Sequence, residues 1–174
     1  MVEPVIVVPY DSNWRKLYEI EREDIVARIG DFVEDIQHMG STSVEGLAAK
    51  PIIDMMIGIS TLDDAKYCIP PLEAMGYEYV PEFEKDLPMR RYLRKSADGI
   101  RTHHIHMVEI SSDFWARHVA FRDILRSNAS IRDEYAALKY RLAEAHRDDR
   151  EGYTDAKTDF IETALLTHKI RSSQ

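Results

Sequence analysis

The feature that most constrains the fold is a nearly continuous apolar run from Pro51 to Ile59. A run of this length, bounded by proline at one end and by Ser60 at the other, favours a strand over a helix. The run lacks the polar alternation of a half-exposed strand, so both of its faces must be covered. The sequence therefore predicts a central, doubly covered strand at this position.

Two helices are predicted in the first half of the chain. Apolar residues recur at helical spacing from Trp14 to Ile29, after capping side chains at Asp11 to Asn13. A second helix is predicted from Thr61 to Met75, which Pro70 and Pro71 must kink or split. The apolar face of the first helix consists of Trp14, Leu17, Tyr18, Ile25 and Ile29.

Shorter segments of the first half predict strands. Residues 32–39 and 77–80 each fit a brief strand, and Arg90 to Lys95 and Arg101 to Ile110 fit a longer pair. The pair flanks Ser96-Ala-Asp-Gly, in which Asp98 and Gly99 tolerate the positive φ of a tight turn. These two segments are therefore expected to form a hairpin.

The second half predicts three consecutive helices. Ser112 and Asp113 begin the first, a pattern like a capping box at Ser130 begins the second, and Thr154 begins a third that runs to about Ile170. We therefore expect an α+β fold with a mixed sheet flanked by helices. The chain is predicted to be one domain, with the sheet core in residues 1–110 and a helical segment, residues 111–174, packed on it.

The charge, the cysteine count and the length of the apolar runs limit the classes of ligand and partner that the protein can have. The chain has 174 residues, with 23 Lys and Arg against 31 Asp and Glu, for a net charge of −8. This charge argues against binding of bulk nucleic acid and points to a small ligand or a protein partner. The lone Cys68 excludes an internal disulfide. No apolar run reaches the length of a membrane helix, and the start lacks a basic region and a cleavage site, so we expect a cytoplasmic protein without a membrane partner.

A loop rich in glycine and hydroxyl groups precedes the central strand. Gly40 allows a ligand to approach the backbone closely, and Ser41, Thr42 and Ser43 offer hydroxyl and N–H groups near a helix start, where phosphate binds readily. Lys50 ends the loop and adds a positive charge. The same residues are also common in ordinary turns and caps, so the pattern fits either a phosphate site or a structural turn.

Asp54 stands inside the apolar run, where an ionised carboxylate is unfavourable unless it is paired or binds a metal. One interpretation is a carboxylate that backbone N–H groups or an arginine satisfy. The other is a ligand or metal site. The sequence around Asp54 favours the second interpretation.

The stretch from His38 to Asp54, His-Met-Gly-Ser-Thr-Ser-Val-Glu-Gly-Leu-Ala-Ala-Lys-Pro-Ile-Ile-Asp, resembles the signature of the GrpB-like family. This family is a branch of the nucleotidyltransferase (polymerase beta-like) fold superfamily. Further resemblance lies in Pro9-Tyr-Asp, Arg91-Tyr-Leu, Arg101-Thr-His-His-Ile-His and residues 149–161. It implies a nucleotidyltransferase-like mixed sheet, a nucleotide or other phosphorylated small molecule as ligand, and a divalent metal.

The chain departs from the superfamily pattern at Met56. Active members carry a second acidic residue two positions after the first, and a thioether is a poor ligand for Mg²⁺. His104 and His106 are the best replacements, because on a strand they face one side roughly 6.5 to 7 Å apart. With Asp54 they would favour Zn²⁺ or Mn²⁺ over Mg²⁺. Glu109 competes if the register slips by one residue, and hydrogen-bonded histidines are the commoner explanation of such a pair.

Three further residues complete the candidate site. His38 is a candidate general acid or base facing the same cavity, or alternatively a strand residue hydrogen-bonded across the sheet. Arg91 and Arg101 are candidates for clamping phosphate, although alternating arginines also keep an exposed strand soluble. Tyr153 and Lys157 are predicted to share one helix face that either closes over the site or simply packs.

The leading hypothesis is a protein that binds a nucleotide or phosphorylated ligand with a divalent metal and transfers a nucleotidyl group. Asp54 and His38 are its candidate catalytic residues. One alternative is a degenerate module that keeps the cavity without the transfer chemistry, which Met56 favours. Another is a metal-dependent hydrolase that uses a metal-bound water.

Overall fold

The computed structural model describes residues 4–172, with side chains described for residues 4–168. It has the predicted α+β fold, in which helices flank a five-stranded mixed sheet. The strands are β1 (Val33–Met39), β2 (Ile53–Ile59), β3 (Tyr77–Tyr79), β4 (Arg90–Ala97) and β5 (Ile100–Glu109). The helices are α1 (Asn13–Ile29), α2 (Ala65–Ala74), α3 (Asp113–Ser127), α4 (Ala129–Ala145), α5 (Arg150–Asp155) and α6 (Thr158–Ser172).

The sheet has the order β1-β2-β5-β4-β3. Only the β2–β5 pair is parallel, and the other three pairs are antiparallel. The predicted central strand is therefore β2, which is paired on both sides and almost entirely buried. The predicted hairpin is also present, since β4 and β5 are joined by a turn with φ of 52° at Asp98 and 78° at Gly99.

One face of the sheet packs on α1 and α2 around the main apolar core. Trp14, Tyr18, Ile25 and Ile29 of the predicted α1 face are buried there. The prediction that Leu17 belongs to the buried face is wrong, because this residue is 46% exposed. Glu21 takes a place in the buried face instead, where it accepts hydrogen bonds from Tyr77 and Lys95.

The opposite face of the sheet carries a smaller cluster beside α3. Met39, Met56 and Val108 are buried in this cluster, with Trp115 packed against them. The helices after α3 extend this layer, and Lys139 of α4 donates a hydrogen bond to the carbonyl of Ala48. The second half of the chain thus contacts the sheet core directly.

Three predicted details of the helices are wrong. Helix α2 continues through Pro70 and Pro71, so the split, one of the two predicted effects of these prolines, is wrong. The two carbonyls that the prolines leave without donors belong to exposed Lys66 and Tyr67, which water can satisfy. The cap of α4 is Asn128, whose side chain accepts from the N–H of Ile131, and not Ser130.

Thr154 does not begin the last helix. It lies inside α5, where its hydroxyl donates to the carbonyl of Arg150. Asp149 caps that short helix by accepting the N–H of Gly152, and α6 begins only at Thr158. The break after α5 places Lys157 between two helices.

Two predictions from composition can be compared with the structure. Cys68 is fully buried in the main core, and burial raises the pKa of its thiol to about 11. Within the described residues, every helix is too short or too polar to cross a bilayer.

Candidate functional site

A cleft of about 580 Å³ lies on the sheet face opposite α1 and α2. Side chains of β2, β4 and β5 form the floor of the cleft. The loop after β1 forms one wall, and α4, α5 and Lys157 form the other. Among the described residues that line it, six side chains are basic and four are acidic. The cleft therefore collects positive charge in a chain whose net charge is −8.

Asp54, His104 and His106 converge on the floor of this cleft. In the sheet register, Asp54 lies opposite His104, and Met56 opposite His106. Oδ1 of Asp54 is 2.9 Å from Nδ1 of His104 and 3.9 Å from Nε2 of His106. One ligand atom of each residue lies within 4.8 Å of the other two. The parallel pairing of β2 and β5 brings Asp54 together with two histidines that lie about 50 positions later in the sequence.

The electrostatics of the three side chains suit a cation. Burial alone would raise the pKa of Asp54, but the hydrogen bonds of His104 and His106 outweigh burial and hold that pKa well below its ordinary value. Burial lowers the pKa of His106 to about 4. Asp54 is thus ionised and His106 is neutral at physiological pH, the states in which a carboxylate and an imidazole bind metal.

His106 has a second polar neighbour that fixes its tautomer. Nη1 of Arg90 lies 3.1 Å from Nδ1 of His106. A guanidinium only donates, so Nδ1 accepts and the ring carries its proton on Nε2, the nitrogen that faces Asp54. The ring of Tyr92 packs against both imidazoles, with centroids 5.4 Å from each.

The three side chains fit a divalent metal in their chemistry. Nε2 of His104 is buried and has no hydrogen-bond partner within the part of the chain that the structure describes. Two imidazoles and one carboxylate favour Mn²⁺ or Zn²⁺ over Mg²⁺, which prefers oxygen ligands. Glu109 is excluded from this cluster, because it faces the other side of the sheet and accepts the N–H of Leu62.

The loop after β1 reaches Asp54 through Gly40. Gly40 has φ of 65°, and a Cβ placed there would lie 2.5 Å from Oδ2 of Asp54. Ser41 to Ser43 form a single 3-10 turn in which the N–H groups of Ser43 and Val44 are already bonded. The predicted helix start is therefore wrong. Gly40, Ser41 and Thr42 line the cleft, whereas Ser43 lines a separate cavity beside α1.

His38 does not face the cleft. It points to the α1 side of the sheet, where its ring stacks on Tyr18 with centroids 4.6 Å apart. Its Nε2 lies 3.0 Å from the hydroxyl of Thr42, and burial lowers its pKa to about 4. The prediction that His38 shares a cavity with Asp54 is wrong, because neighbouring residues of a strand face opposite sides.

Arg91 is misplaced for the same reason. Arg91 lies outside the cleft, with Nη1 3.2 Å from Glu84 and hydrogen-bonded to the carbonyl of Pro88. Arg90, its neighbour in the chain, lines the cleft instead. Lys50 and Arg101 line the cleft as predicted.

Sequence reasoning missed several cleft residues on the helical segment. Lys139 is 2% exposed and Tyr135 is 5% exposed, and both line the cleft. The signal was a lysine four residues after a tyrosine on the apolar side of α4, a position at which lysine is uncommon. Tyr153 and Lys157 also line the cleft, but Tyr153 lies on α5 and Lys157 after it, so they do not share one helix face as predicted.

Comparison with known proteins identifies relatives over nearly the whole chain. A family model described as GrpB protein matches residues 4–166. The glutamate-rich protein GrpB of Alkalihalophilus pseudofirmus is 36% identical over 165 residues, covering 92% of this chain and 94% of that protein. The crystal structure of the conserved protein GrpB from Enterococcus faecalis has a TM-score of 0.85 at 34% identity, covering 97% of this chain and all of that chain (100%). A more distant relative is the dephospho-CoA kinase of Mycolicibacterium paratuberculosis, 28% identical over 191 residues, covering 92% of this chain and 45% of that protein.

Proposed function

The chain belongs to the GrpB family, and we propose that it binds a nucleotide or a related phosphorylated small molecule together with one divalent metal ion in the cleft over β2 and β5. Asp54, His104 and His106 would hold the metal. Such an ion would neutralise phosphate oxygens. Lys50, Arg90 and Arg101 would bind phosphate groups beside it.

The observation that carries this proposal is the pairing of two opposite chemistries in one cleft. One end presents an ionised carboxylate and a neutral imidazole within ligand distance of each other. The lining of the same cleft presents six basic side chains. If the ligand were a cation alone, the basic groups would have no role in binding it. If the ligand were an anion alone, Asp54 would repel it. A metal-bound phosphate ester satisfies both.

We propose nucleotidyl transfer as the reaction of this site, in which an acceptor oxygen bonds to the α-phosphorus of a nucleoside triphosphate, loses its proton, and pyrophosphate leaves in line. The protein would support this displacement by positioning the ligand and neutralising its charge. Met56 is 1% exposed and packs with Met39 and Val108, so it cannot act as a second metal ligand. The proposed site therefore holds one ion through Asp54, where the superfamily pattern has a pair of acids. His38 is not proposed as a catalytic residue, because it lies on the other side of the sheet.

The ligands to test first follow from the cleft and from one relative. The relative named dephospho-CoA kinase acts, by its name, on dephospho-CoA, which is itself an adenosine phosphate ester. A panel of nucleoside triphosphates, nucleoside monophosphates and dephospho-CoA thus covers the chemistry that the basic walls suit.

The decisive experiment is thermal unfolding of the wild type and of Asp54→Asn across this panel, with Mn²⁺, Zn²⁺ or Mg²⁺. A ligand at a hundredfold excess over its Kd adds about 2.7 kcal/mol of stability, which raises Tm by roughly 5 to 11 °C in a domain of this size. We expect a nucleotide shift in the wild type that increases when metal is added, and Asp54→Asn should lose this metal-dependent increase. Asp35→Asn, on β1 outside the cleft, is the matched control and should keep it.

Two results would contradict the proposal. An equal increase in Tm in Asp54→Asn and in the wild type would show that the metal does not bind at Asp54. An unchanged Tm with every nucleotide would reject nucleotides as the ligand class. Release of phosphate from phosphoesters with Mn²⁺ or Zn²⁺, without transfer to an acceptor, would replace transfer with hydrolysis.

A further inference from the structure

Three lysines from distant parts of the chain line the cleft together. Lys50 comes from the loop before β2, Lys139 from the middle of α4, and Lys157 from the break between α5 and α6. Folding thus brings a residue of the sheet core and two residues of the helical segment to one place.

The lysines are held against two tyrosine rings. Nζ of Lys50 is 5.1 Å and Nζ of Lys157 is 4.3 Å from the ring centroid of Tyr153. Nζ of Lys139 is 4.9 Å from the ring centroid of Tyr135 and donates to the carbonyl of Ala48. These contacts fix the positions of the ammonium groups, because a cation is attracted to the face of an aromatic ring.

The lysines also repel one another. Burial and the charges of Lys157 and Lys50 lower the pKa of Lys139 to about 7. Burial and Lys50 lower the pKa of Lys157 to about 8, against a weaker opposing effect of Asp54. Placing like charges close together in this way is unfavourable, and an anion bound among the lysines would reduce their mutual repulsion.

We propose that Lys50, Lys139 and Lys157 form a seat for a dianionic phosphate group, a phosphomonoester terminus, that binds without the metal. This inference rests on the proposed function, since it assigns to the phosphorylated ligand of the same cleft one terminal group and its partners. A monoester carries up to two negative charges, whereas a diester carries one. A cluster of three lysines therefore favours the monoester, whose second negative charge would also favour the protonated form of Lys139.

The test uses inorganic phosphate as the probe in buffer with EDTA, read by thermal unfolding and by calorimetric titration. Dimethyl phosphate, which has one negative charge, is the comparison ligand. We expect phosphate to stabilise the wild type more than dimethyl phosphate does. Lys157→Met and Lys50→Met should each weaken phosphate binding by about tenfold or more, because a hydrogen bond to a charged group is worth at least that factor.

Two controls separate charge from packing. Lys66→Met removes a lysine that also lies over a tyrosine, at 5.0 Å from the ring of exposed Tyr67 but outside the cleft, and it should leave phosphate binding unchanged. Lys157→Arg keeps the charge and should retain most of the binding. Unfolding of each variant without phosphate shows whether it still folds.

Equal binding of phosphate and dimethyl phosphate would overturn the seat, and so would full phosphate binding in both Lys157→Met and Lys50→Met. Asp54→Asn should keep phosphate binding in EDTA. If Asp54→Asn loses the metal-dependent increase in Tm but still binds phosphate in EDTA, both proposals are supported. Phosphate binding in the wild type with no metal effect would support the seat and reject the metal site.

Discussion

At the scale of single residues, the contact between Arg90 and His106 decides how the metal and the anion affect each other. Arg90 donates to Nδ1 of His106, which leaves the proton on the nitrogen that faces Asp54. A metal at that nitrogen requires the other tautomer, with its proton on Nδ1, and two donors would then face each other. Metal binding should therefore release Arg90, which becomes available to an anion.

Replacement of Arg90 tests this coupling. In buffer without phosphate, Arg90→Met should bind Mn²⁺ about tenfold more tightly than the wild type, because no hydrogen bond to a charged group has to be broken. With a phosphate ligand present, the variant should bind the ligand more weakly. Calorimetric titration of Mn²⁺ measures the first effect. Arg94→Met, which removes a half-buried arginine that is paired with Glu78 at 2.7 Å and does not line the cleft, should change neither, and weaker Mn²⁺ binding in Arg90→Met would contradict the coupling.

Lys139 predicts a dependence of stability on pH. Its pKa falls from 10.5 in the unfolded chain to about 7 in the fold, so between these values the unfolded chain binds more protons. Stability must then rise with pH across this window, by at most about 1.4 kcal/mol per pH unit from this group. Lys139→Met removes the contribution, and the Tm of the variant minus that of the wild type should be largest near pH 6 and shrink towards pH 10.

Thermal unfolding from pH 6 to pH 10 measures this difference, with exposed Lys16→Met on α1 as the control. A constant difference at every pH would mean that Lys139 acts through packing and its bond to Ala48 alone.

The residues of the site were only partly predictable. Residues two apart on a strand share a face, so the spacing of His104 and His106 predicted that their side chains lie on the same side of the sheet. Asp54 could be identified because a carboxylate is unusual in an apolar run. His38 and Arg91 were misplaced because the sequence does not reveal which residues of β1 and β4 lie opposite Asp54 and His106. A shift of one residue sends a side chain to the other face. Arg90 is the residue that a correct register would have selected.

At the scale of elements, the turn between β1 and β2 is built around the approach of Gly40 to Asp54. Gly40→Ala should destabilise the protein by about 1 to 3 kcal/mol, because an L-residue is strained at this φ, and it should weaken Mn²⁺ binding by displacing the carboxylate. Chemical denaturation and metal titration measure the two effects.

Two comparisons separate strain from collision. Gly99→Ala introduces the same residue at φ of 78° with nothing within 4 Å, so it reports backbone strain alone. In an Asp54→Ala background the Oδ2 collision is absent, and Gly40→Ala should cost less there than in the wild type. Equal costs in both backgrounds would show that Gly40 serves the turn and not the carboxylate.

Elements were predicted well where local chemistry determines them. The apolar run became β2, Asp98 and Gly99 made the hairpin, and Ser112 capped α3 by accepting the N–H of Trp115. The prediction failed at α2, where tertiary packing of Cys68 and Leu72 in the core outweighs two helix-breaking prolines. It failed again at Ser130 and Thr154, because another capping side chain, Asn128 or Asp149, lay a few residues earlier.

At the scale of the whole molecule, the cleft exists only where the sheet core and the helical segment meet. Lys50 and Asp54 belong to the first, and Lys139 and Lys157 to the second. No local pattern in the sequence places these parts together, which is why Lys139 was not predicted as a residue of the cleft. A ligand that contacts both sides should tie them together, since binding stabilises the state that binds.

Hydrogen exchange with saturating phosphate in EDTA tests this effect. Amides of α5 (Arg150–Asp155) should exchange more slowly, because a helix of six residues is expected to open locally and this one carries Tyr153, whose ring lies against Lys50 and Lys157. Amides of α2, which packs on the far face of the sheet, should change little. Lys157→Met should lose the protection of α5 while α2 stays as it was. Equal protection of both helices would indicate global stabilisation by an ion bound elsewhere, and the ligand would then not join the two parts.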